Sequence, residues 1–378
     1  MTRKNKKRIA LTLLVPAALA VFAVAYADSN EDKLGPYKLL TTISIPDLVG
    51  FDISWVDSAS GRYYLADRGT GNSPATPRID VIDTEHNKLL APIPLSNAGN
   101  GVVAIHKSGD DDEQGEGESG KLVVGGTDST AIFIDLAHPL FVPIAVNTGG
   151  KGRADELAFD PIHHLILIAN DRAVDLFVTF ITTTNPPHVV GKIFYDGSVP
   201  GNPKSTGGIE QPVWDGAKGR FYLAIPATVA HPNGEVDEID PVAKKITREF
   251  PTTCGPAGLA LIPGQHLITS CGDVITISSG AVVNTPGVGA DEIWFNPGDE
   301  RVYFGGYKGI NVPVVSALSP YNQIDNLVVG LIATPPAPNH TTHSVAADSE
   351  NNRIFVPVSH EGVKVYTAAQ GAGEGHDN

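Results

Sequence analysis

A loose repeat runs through most of the 378-residue chain and constrains its fold more than any other feature. Each copy has a polar head, an apolar strand ending in Asp or Asn, a short turn, and a second apolar strand. Five copies share one register: FDISWVDSASGRYYLAD (51–67), DELAFDPIHHLILIAND (155–171), EQPVWDGAKGRFYLAIP (210–226), DEIWFNPGDERVYFGGY (291–307) and HSVAADSENNRIFVPVS (343–359). A sixth copy (256–272) lacks the acids, and a seventh (101–127) carries an acidic insertion in its turn.

This repeat predicts an all-β protein. Short Val, Ile, Tyr and Phe runs alternate with Gly, Pro, Asn and Asp, and no helical period of any length appears after residue 30. Successive heads lie 34 to 55 residues apart, near the size of a four-stranded blade. We therefore predict a single β-propeller of seven blades over residues 38–367, with six or eight blades as alternatives. The N-terminal strand KLLTTISI (38–45) would complete the last blade and close the ring.

The turns followed by RYYLAD, RFYLAI, HLILIAND and RIFVPV resemble the YVTN-type repeat of exported bacterial β-propellers. The regucalcin/gluconolactonase and streptogramin-lyase propellers are similar in style but more distant. The resemblance implies an architecture rather than an activity, because propellers host many unrelated functions. In the two more distant families, polar residues at the inner-strand heads bind a divalent metal.

The first 27 residues have the three parts of a secretory signal peptide. A basic segment, MTRKNKKR, precedes the apolar run IALTLLVPAALAVFAV and an Ala-Tyr-Ala cleavage site before Asp28. An uncleaved anchor is the alternative, because the apolar run approaches the roughly 20 residues that a spanning helix needs. We expect an N-terminal segment at 28–37, a disordered tail at 368–378, and a periplasmic or secreted bacterial protein. Membrane contact would follow only if the signal segment stays uncleaved.

The charge of the chain limits its partners. Cleavage after residue 27 would leave 22 basic and 42 acidic residues, a formal net charge of −20. Nucleic acid and anionic lipid bind basic patches, so this surface excludes nucleic acid as an expected partner. We expect a monomer whose partner is a small molecule or another envelope protein.

The two cysteines, Cys254 and Cys271, are predicted to form a disulfide. Thiols can pair after export, and the segment between them, GLALIPGQHLITS, predicts two short strands around a Pro-Gly turn. Opposite positions in such a hairpin lie within disulfide reach. A redox pair is less favoured, because no Cys-x-x-Cys occurs.

The repeat also predicts the candidate site, because the innermost strand of each blade lines the channel of a propeller. The seven heads are Asp52, Gly101, Asp155, Glu210, Ala257, Asp291 and His343. Convergent carboxylates repel one another unless a cation, protons or water separates them, so the five polar heads are candidate ligands of Ca²⁺, Mn²⁺ or Fe²⁺. His340 is a further candidate ligand, and Glu156 or Glu292 would act as the base. The alternative is a hydrated polar channel without a metal.

Three functions remain open from the sequence. The first is binding of a small ligand or envelope partner at a face or in the channel. The second is a metal-dependent hydrolase, lactonase-like, or a lyase at the channel mouth. The third is a propeller subunit of a periplasmic dehydrogenase with a cofactor-bearing partner, since the chain has no cofactor motif of its own. The equivalent positions of Trp55, Trp214 and Trp294 favour packing between blades over ligand stacking.

Overall fold

The computed structural model describes residues 37–69, 76–106, 120–171, 175–284, 289–306, 310–316, 325–332 and 341–368. Every regular element in these ranges is a β-strand. Over the same ranges, no helix has the length and apolar character needed to cross a bilayer. The predicted signal peptide, the acidic insertion at 110–119, His340 and the tail beyond residue 368 lie outside the described residues.

The strands of the described chain form seven antiparallel sheets, numbered here in chain order. Sheet 1 comprises β2 (Gly50–Asp57), β3 (Arg62–Gly69), β4 (Arg78–Asp83), β5 (Lys88–Leu89) and β6 (Ile93–Pro94). Sheet 2 comprises β7 (Gly99–Ile105), β8 (Lys121–Gly126), β9 (Thr130–Asp135) and β10 (Ile144–Asn147). Sheet 3 comprises β11 (Ala154–Asp160), β12 (Leu165–Asn170), β13 (Phe177–Thr182) and β14 (Val189–Phe194).

The remaining sheets follow the same order, with one departure in the last. Sheet 4 comprises β15 (Pro212–Asp215), β16 (Arg220–Ile225), β17 (Glu235–Asp240) and β18 (Lys245–Pro251). Sheet 5 comprises β19 (Leu259–Ile262), β20 (His266–Thr269), β21 (Asp273–Thr276) and β22 (Val282–Asn284). Sheet 6 comprises β23 (Glu292–Asn296), β24 (Arg301–Gly305), β25 (Ile310–Ser316) and β26 (Asp325–Ile332). Sheet 7 comprises β27 (Ala346–Asp348), β28 (Arg353–Val358), β29 (Gly362–Ala368) and β1 (Tyr37–Ile43), which pairs with β29.

The core lies between successive sheets. Phe180 of sheet 3 and Phe221 of sheet 4 belong to one buried cluster, with ring centroids 6.4 Å apart. The packing also joins the last sheet to the first, because Phe355 stacks on Tyr63 at 5.3 Å within another cluster. Face-to-face packing of small twisted sheets around an axis is the architecture of a propeller, and the predicted all-β propeller fold is confirmed.

The Asp or Asn that ends the first strand of each repeat anchors a turn. These residues are nearly fully buried: Asp57, Asp160, Asp215, Asn296 and Asp348. Asp215 Oδ1 accepts the N–H of Ala217 at 2.9 Å, and its Oδ2 accepts the N–H of Gly264 in sheet 5 at 3.0 Å. Asp57 Oδ2 reaches His106 Nε2 in sheet 2 at 2.7 Å. The repeated acid therefore closes its own turn and also ties neighbouring sheets together.

The last residue of each turn adopts a left-handed conformation. The φ angles lie between 53° and 65° at Gly61, His164, Gly219, Glu300 and Asn352. Gly and Asn tolerate this region best, which explains their recurrence before the second strand. In the copy with His163-His164, His163 Nδ1 bonds Asp160 Oδ2 at 2.6 Å, so the pair belongs to the turn.

Cys254 and Cys271 form a disulfide that spans the hairpin of sheet 5. Their Cα atoms are 5.9 Å apart, with Cys254 before β19 and Cys271 after β20. The two strands expected around the Pro-Gly turn are both present. The bond therefore links the two ends of the shortest repeat.

Candidate functional site

A polar cavity lies where the first strands of several sheets begin, and we call it the polar mouth. Its volume is about 340 Å³. It is lined by Asp52, Ile53, Arg68, Arg153, Asp155, Glu156, Glu210, Asp291 and His343. The structure thus brings together all five polar heads and Glu156.

A break in strand alternation explains the Asp-Glu pair at one of these heads. The register between β11 and β12 shifts between Ala154 and Leu157. A bulge of this kind re-aims side chains that would otherwise point to opposite faces of the sheet. Asp155 and Glu156 therefore both reach the cavity, although they are adjacent in the strand.

The second head is glycine because two strands approach each other closely at this point. A Cβ atom at Gly101 would clash with the backbone carbonyl oxygen of Asp155 and the side chain of Leu157. This head and Ala257 contribute no polar group to the polar mouth. The negative charge of the cavity is therefore concentrated on the other heads.

Two arginines in the polar mouth were missed by the sequence interpretation. Arg68 pairs with Asp52 and donates from Nη2 to Asn100 Oδ1 at 2.6 Å. Arg153 Nη2 lies 2.7 Å from a carboxylate oxygen of both Asp155 and Asp171. The heads are thus partly neutralised by the chain itself.

His343 is held between two oxygen acceptors. Its Nδ1 lies 3.1 Å from Asp291 Oδ2, its Nε2 lies 3.0 Å from the carbonyl oxygen of Phe51, and its ring stacks on Phe51. Burial alone would lower the pKa of His343, but the hydrogen bond to Asp291 and the charge of Asp52 raise it. Both ring nitrogens therefore act as donors, and this geometry argues against the predicted role of His343 as a metal ligand.

Two carboxyl groups of the polar mouth, those of Asp155 and Glu210, have pKa values shifted towards the protonated form. Burial raises the pKa of Asp155 to about 8, and the charge of Asp52 adds to the shift. Burial also raises the pKa of Glu210 to about 8, with a contribution from Asp171. A cation that enters the polar mouth would favour the ionised forms and release these protons.

A possible metal cluster in this region differs from the predicted ligand set. One carboxylate oxygen each from Asp155, Asp171 and Glu210 lie within 4.8 Å of one another. Asp171 follows β12 and accepts the N–H of Ile209 at 3.1 Å. Because the guanidinium of Arg153 lies against two of the three carboxylates, a metal here would have to displace it.

Glu156 and Glu292, the predicted bases, are both buried. Burial raises the pKa of both carboxyls well above the usual range, and nearby acids add to the shift. Glu292 accepts a hydrogen bond from the Ser344 hydroxyl. Glu156 is 8% exposed, and its Oε2 atom has no hydrogen-bond partner in the part of the chain that the structure describes. The raised pKa values favour the protonated form of each group, which is a weak proton acceptor.

A second, apolar cavity of about 420 Å³ adjoins the polar mouth, and we call it the aromatic chamber. The first strands of sheets 1 to 6 line it, and it shares Ile53 and Glu156 with the polar mouth. Trp55, Trp214 and Trp294 all face it. Trp55 and Trp294 meet edge to face at 5.0 Å, so the tryptophans pack between sheets and also line a cavity.

Comparisons with known proteins identify the fold and no family. No family model matches the sequence, and no curated protein matches it. The chain is similar to one in the crystal structure of the mitotic checkpoint complex, with a TM-score of 0.61, 11% identity, and coverage of 97% of this chain and 99% of that one. It is also similar to the WD40 domain of Pan2 from Neurospora crassa, with a TM-score of 0.60, 11% identity, and coverage of 88% and 95%. WD40 domains are β-propellers, so these likenesses support the fold alone.

Proposed function

We propose that the protein is an exported propeller that binds a small organic cation in its central channel. The ammonium group would lie at Glu156, and the apolar part would lie in the aromatic chamber. The observation that carries this proposal is the orphan Oε2 atom of Glu156 at the boundary between the two cavities. A buried carboxyl without a partner is costly unless it is protonated or paired, and an ammonium group would pair with it.

The carboxyl groups of the polar mouth outnumber its basic groups, and a cationic ligand would favour their ionised forms. The lining carries five carboxyl groups against two arginines and one histidine. An anionic ligand would add to the repulsion among these carboxyls, whereas a cation would relieve it. The three indole rings add a second attraction, because tryptophan is the strongest aromatic partner of an ammonium ion.

The test is calorimetric titration of residues 28–378 with phenethylamine, 2-phenylethanol and phenylacetate, which share one ring and differ in charge. We expect the amine to bind and to change tryptophan fluorescence, and the alcohol and the acid to bind at least tenfold more weakly. Glu156→Gln should weaken amine binding at least tenfold, while Asp196→Asn, at an exposed turn, should leave it unchanged. Equal binding of all three probes, or of none, would contradict the proposal.

A metal-dependent hydrolase, lactonase-like, or lyase is the second candidate, favoured by the clustered oxygens of Asp155, Asp171 and Glu210. Oxygen ligands of this kind suit Ca²⁺, Mn²⁺ or Fe²⁺, and a bound ion would polarise a substrate carbonyl. Chelator-treated protein should then regain δ-valerolactone hydrolysis with one of these ions, and Glu210→Gln should lose it. A protein without metal-dependent turnover would remove this candidate.

Export and the family relationship remain proposals. The disulfide supports an oxidising compartment, because such bonds persist outside the reducing cytosol. If the chain is exported and cleaved, mass spectrometry of the protein recovered from a bacterial periplasm should show Asp28 as the first residue. The repeat also remains the basis for proposing kinship with YVTN-type propellers.

We further infer that the seven sheets are the blades of one closed ring, with β1 as the outer strand of the last blade. The support is the pairing of β1 with β29 and the shared cluster of Phe355, Tyr63 and Leu65. Deletion of residues 28–45 should then expose β29 and lower the thermal midpoint by several degrees. An unchanged midpoint would contradict this closure.

Binding of an envelope partner is compatible with a ligand in the channel, and so is a role as the propeller subunit of a periplasmic dehydrogenase. The segment between β9 and β10 exposes Leu140, Phe141 and Val142 by 76%, 69% and 93%. Adjacent apolar side chains of this size in solvent are typical of interaction sites. A photo-crosslinker at Phe141 should capture an envelope or redox protein in the native cell, whereas one at exposed Val242 should not.

A further inference from the structure

Sheet 4 places three acidic side chains and one imidazole together, outside the channel-lining strand. Glu235 and Asp237 alternate along β17 and therefore share one face, and Glu249 of β18 lies directly opposite Asp237. Ile239, two residues further on, belongs to the buried cluster between sheets 3 and 4. The acidic pair therefore points into the same inter-sheet space.

Both carboxyls on β17 are completely buried and incompletely bonded. Glu235 and Asp237 have 0% exposure. Within the described residues, neither oxygen of Asp237 has a partner in hydrogen-bond geometry, and neither does Glu235 Oε1 or the hydroxyl of buried Tyr195, which is close enough to Asp237 to interact with its carboxyl. An orphaned buried carboxylate costs several kcal/mol, so this group of atoms requires either protons or a cation.

The chain supplies little positive charge to this cluster. Among the described residues, the only basic side chain that pairs with these three carboxyls is His231, whose Nδ1 bonds Glu235 Oε2. Other buried acids differ in this respect: Arg78 lies 2.7 Å from Asp67 and 2.8 Å from Asp80. The cluster on β17 and β18 is therefore short of a cation.

The geometry suits a metal ion. One ligand atom each of His231, Glu235 and Glu249 lie within 4.8 Å of one another. Ligands bound to a common ion at about 2.0–2.4 Å cannot lie further apart than about twice that distance, so the spacing allows a shared ion. Glu235 and Asp237 are buried, whereas Glu249 is exposed. An ion could therefore enter from solvent on the side of Glu249.

We propose that a divalent cation binds at β17 and β18, held by His231, Glu235 and Glu249 with the carboxylate of Asp237 beside them, and fixes the two outer strands of sheet 4. One imidazole with three carboxylates suits a transition-metal dication such as Mn²⁺ or Zn²⁺ better than Ca²⁺ or Mg²⁺, which take oxygen ligands. The ion would supply the missing positive charge and offset the negative charge of the buried carboxylates. Its role is structural, because none of the four residues lines the polar mouth or the aromatic chamber.

The test uses residues 28–378 stripped with a chelator and then titrated with MnCl₂, ZnCl₂, CaCl₂ or MgCl₂. We expect one equivalent of Mn²⁺ or Zn²⁺ to bind and to raise the thermal midpoint of the folded protein. Asp237→Asn and Glu235→Gln should weaken binding at least tenfold. Glu238→Gln is the matched control, because Glu238 lies on the opposite face of the same strand and bonds Thr247 instead.

The outcomes separate this site from the polar mouth. Metal binding that survives Asp237→Asn but is lost in Glu210→Gln would place the ion in the mouth and overturn the proposal. Failure of the wild-type protein to hold stoichiometric Mn²⁺ or Zn²⁺ would overturn it as well. Asp237→Asn removes a buried charge while keeping the shape of the side chain, so the variant should fold without metal, and circular dichroism would verify this.

Discussion

His343 Nδ1 donates a hydrogen bond to Asp291 Oδ2 across 3.1 Å and thereby joins the heads of two neighbouring inner strands. The two residues are 52 positions apart in the sequence. Asp52 lies 3.9 Å from the same nitrogen, so the imidazolium serves two carboxylates. This interaction makes the charge of His343 part of the stability of the polar mouth.

The first prediction concerns His343→Gln. The folded-state pKa of His343 is raised above 6.5, so its contribution is fully present below pH 6.5 and is lost as the pH rises through the folded value. Urea unfolding should therefore show a larger loss of free energy at pH 5.5 than at pH 9. His188→Gln, at an exposed position, should show no such difference. A loss that does not depend on pH would contradict the assigned charge.

The second prediction concerns the raised carboxyls of the polar mouth. Asp155 and Glu210 have folded pKa values of about 8, so the native state binds more protons than the unfolded state between their ordinary values and pH 8. Stability should therefore fall as the pH rises from 5 to 8, by at most about 1.4 kcal/mol per pH unit for each extra proton. Asp155→Asn and Glu210→Gln should each flatten this slope in urea titrations. Asp196→Asn, at an exposed turn, should leave the slope unchanged. An unchanged slope in both Asp155→Asn and Glu210→Gln would contradict the raised pKa values of these two carboxyls.

The third prediction tests the repeated acid as an anchor between sheets. Asp215→Ala should orphan the N–H groups of Ala217 and Gly264 and lower the free energy of unfolding by about 2–4 kcal/mol. Asp240→Ala removes two similar bonds and a surface ion pair with Arg220, but in an exposed turn where water can replace them, so its effect should stay below about 1 kcal/mol. Equal losses in the two variants would contradict the inter-sheet role.

The sequence was sufficient to predict the polar heads and the turns, because both depend on local patterns that recur in each copy of the repeat. Arg68 and Arg153 were missed because their positions in the polar mouth depend on how the two strands of each hairpin pair. Antiparallel pairing brings the end of the second strand beside the head of the first, and the register shifts on both sides of Phe51 let Arg68 reach Asp52. The same rule places Asp171 beside Arg153, so hairpin pairing applied to the aligned repeat was a usable signal.

The acids of sheet 4 were hidden for a different reason. Alternating acids such as Glu235 and Asp237 normally indicate the solvent face of a strand, whereas here that face lies between two sheets. Which face of a strand is buried depends on the neighbouring sheet, and one strand's pattern does not contain that information. The same limit applies to Trp55, Trp214 and Trp294. Their equivalent positions in the repeat predicted packing between blades, but they did not predict the aromatic chamber that these side chains line.

The fourth prediction concerns the disulfide between Cys254 and Cys271. The bond closes a loop with a sequence separation of 17, and a loop of this size loses about 3 kcal/mol of unfolded-state entropy when it is cross-linked. The Cys254→Ser/Cys271→Ser variant should therefore lose about 3 kcal/mol in urea unfolding. Reduction of the wild-type protein should reproduce the loss, and a reducing agent should have no further effect on the variant.

The fifth prediction separates ligand binding from packing in the aromatic chamber. Trp214 faces the chamber and meets Phe221 edge to face at 4.8 Å. Trp214→Phe keeps an aromatic ring for packing but weakens the cation–π attraction, so phenethylamine affinity should fall about threefold or more while stability falls by only about 1–2 kcal/mol. Phe180→Leu is the matched control, because Phe180 is buried between sheets 3 and 4 and does not line the chamber. It should lose stability to a similar degree and keep its affinity. If both variants lose affinity in proportion to stability, the tryptophan acts only in packing, and the ligand site lies elsewhere in the channel.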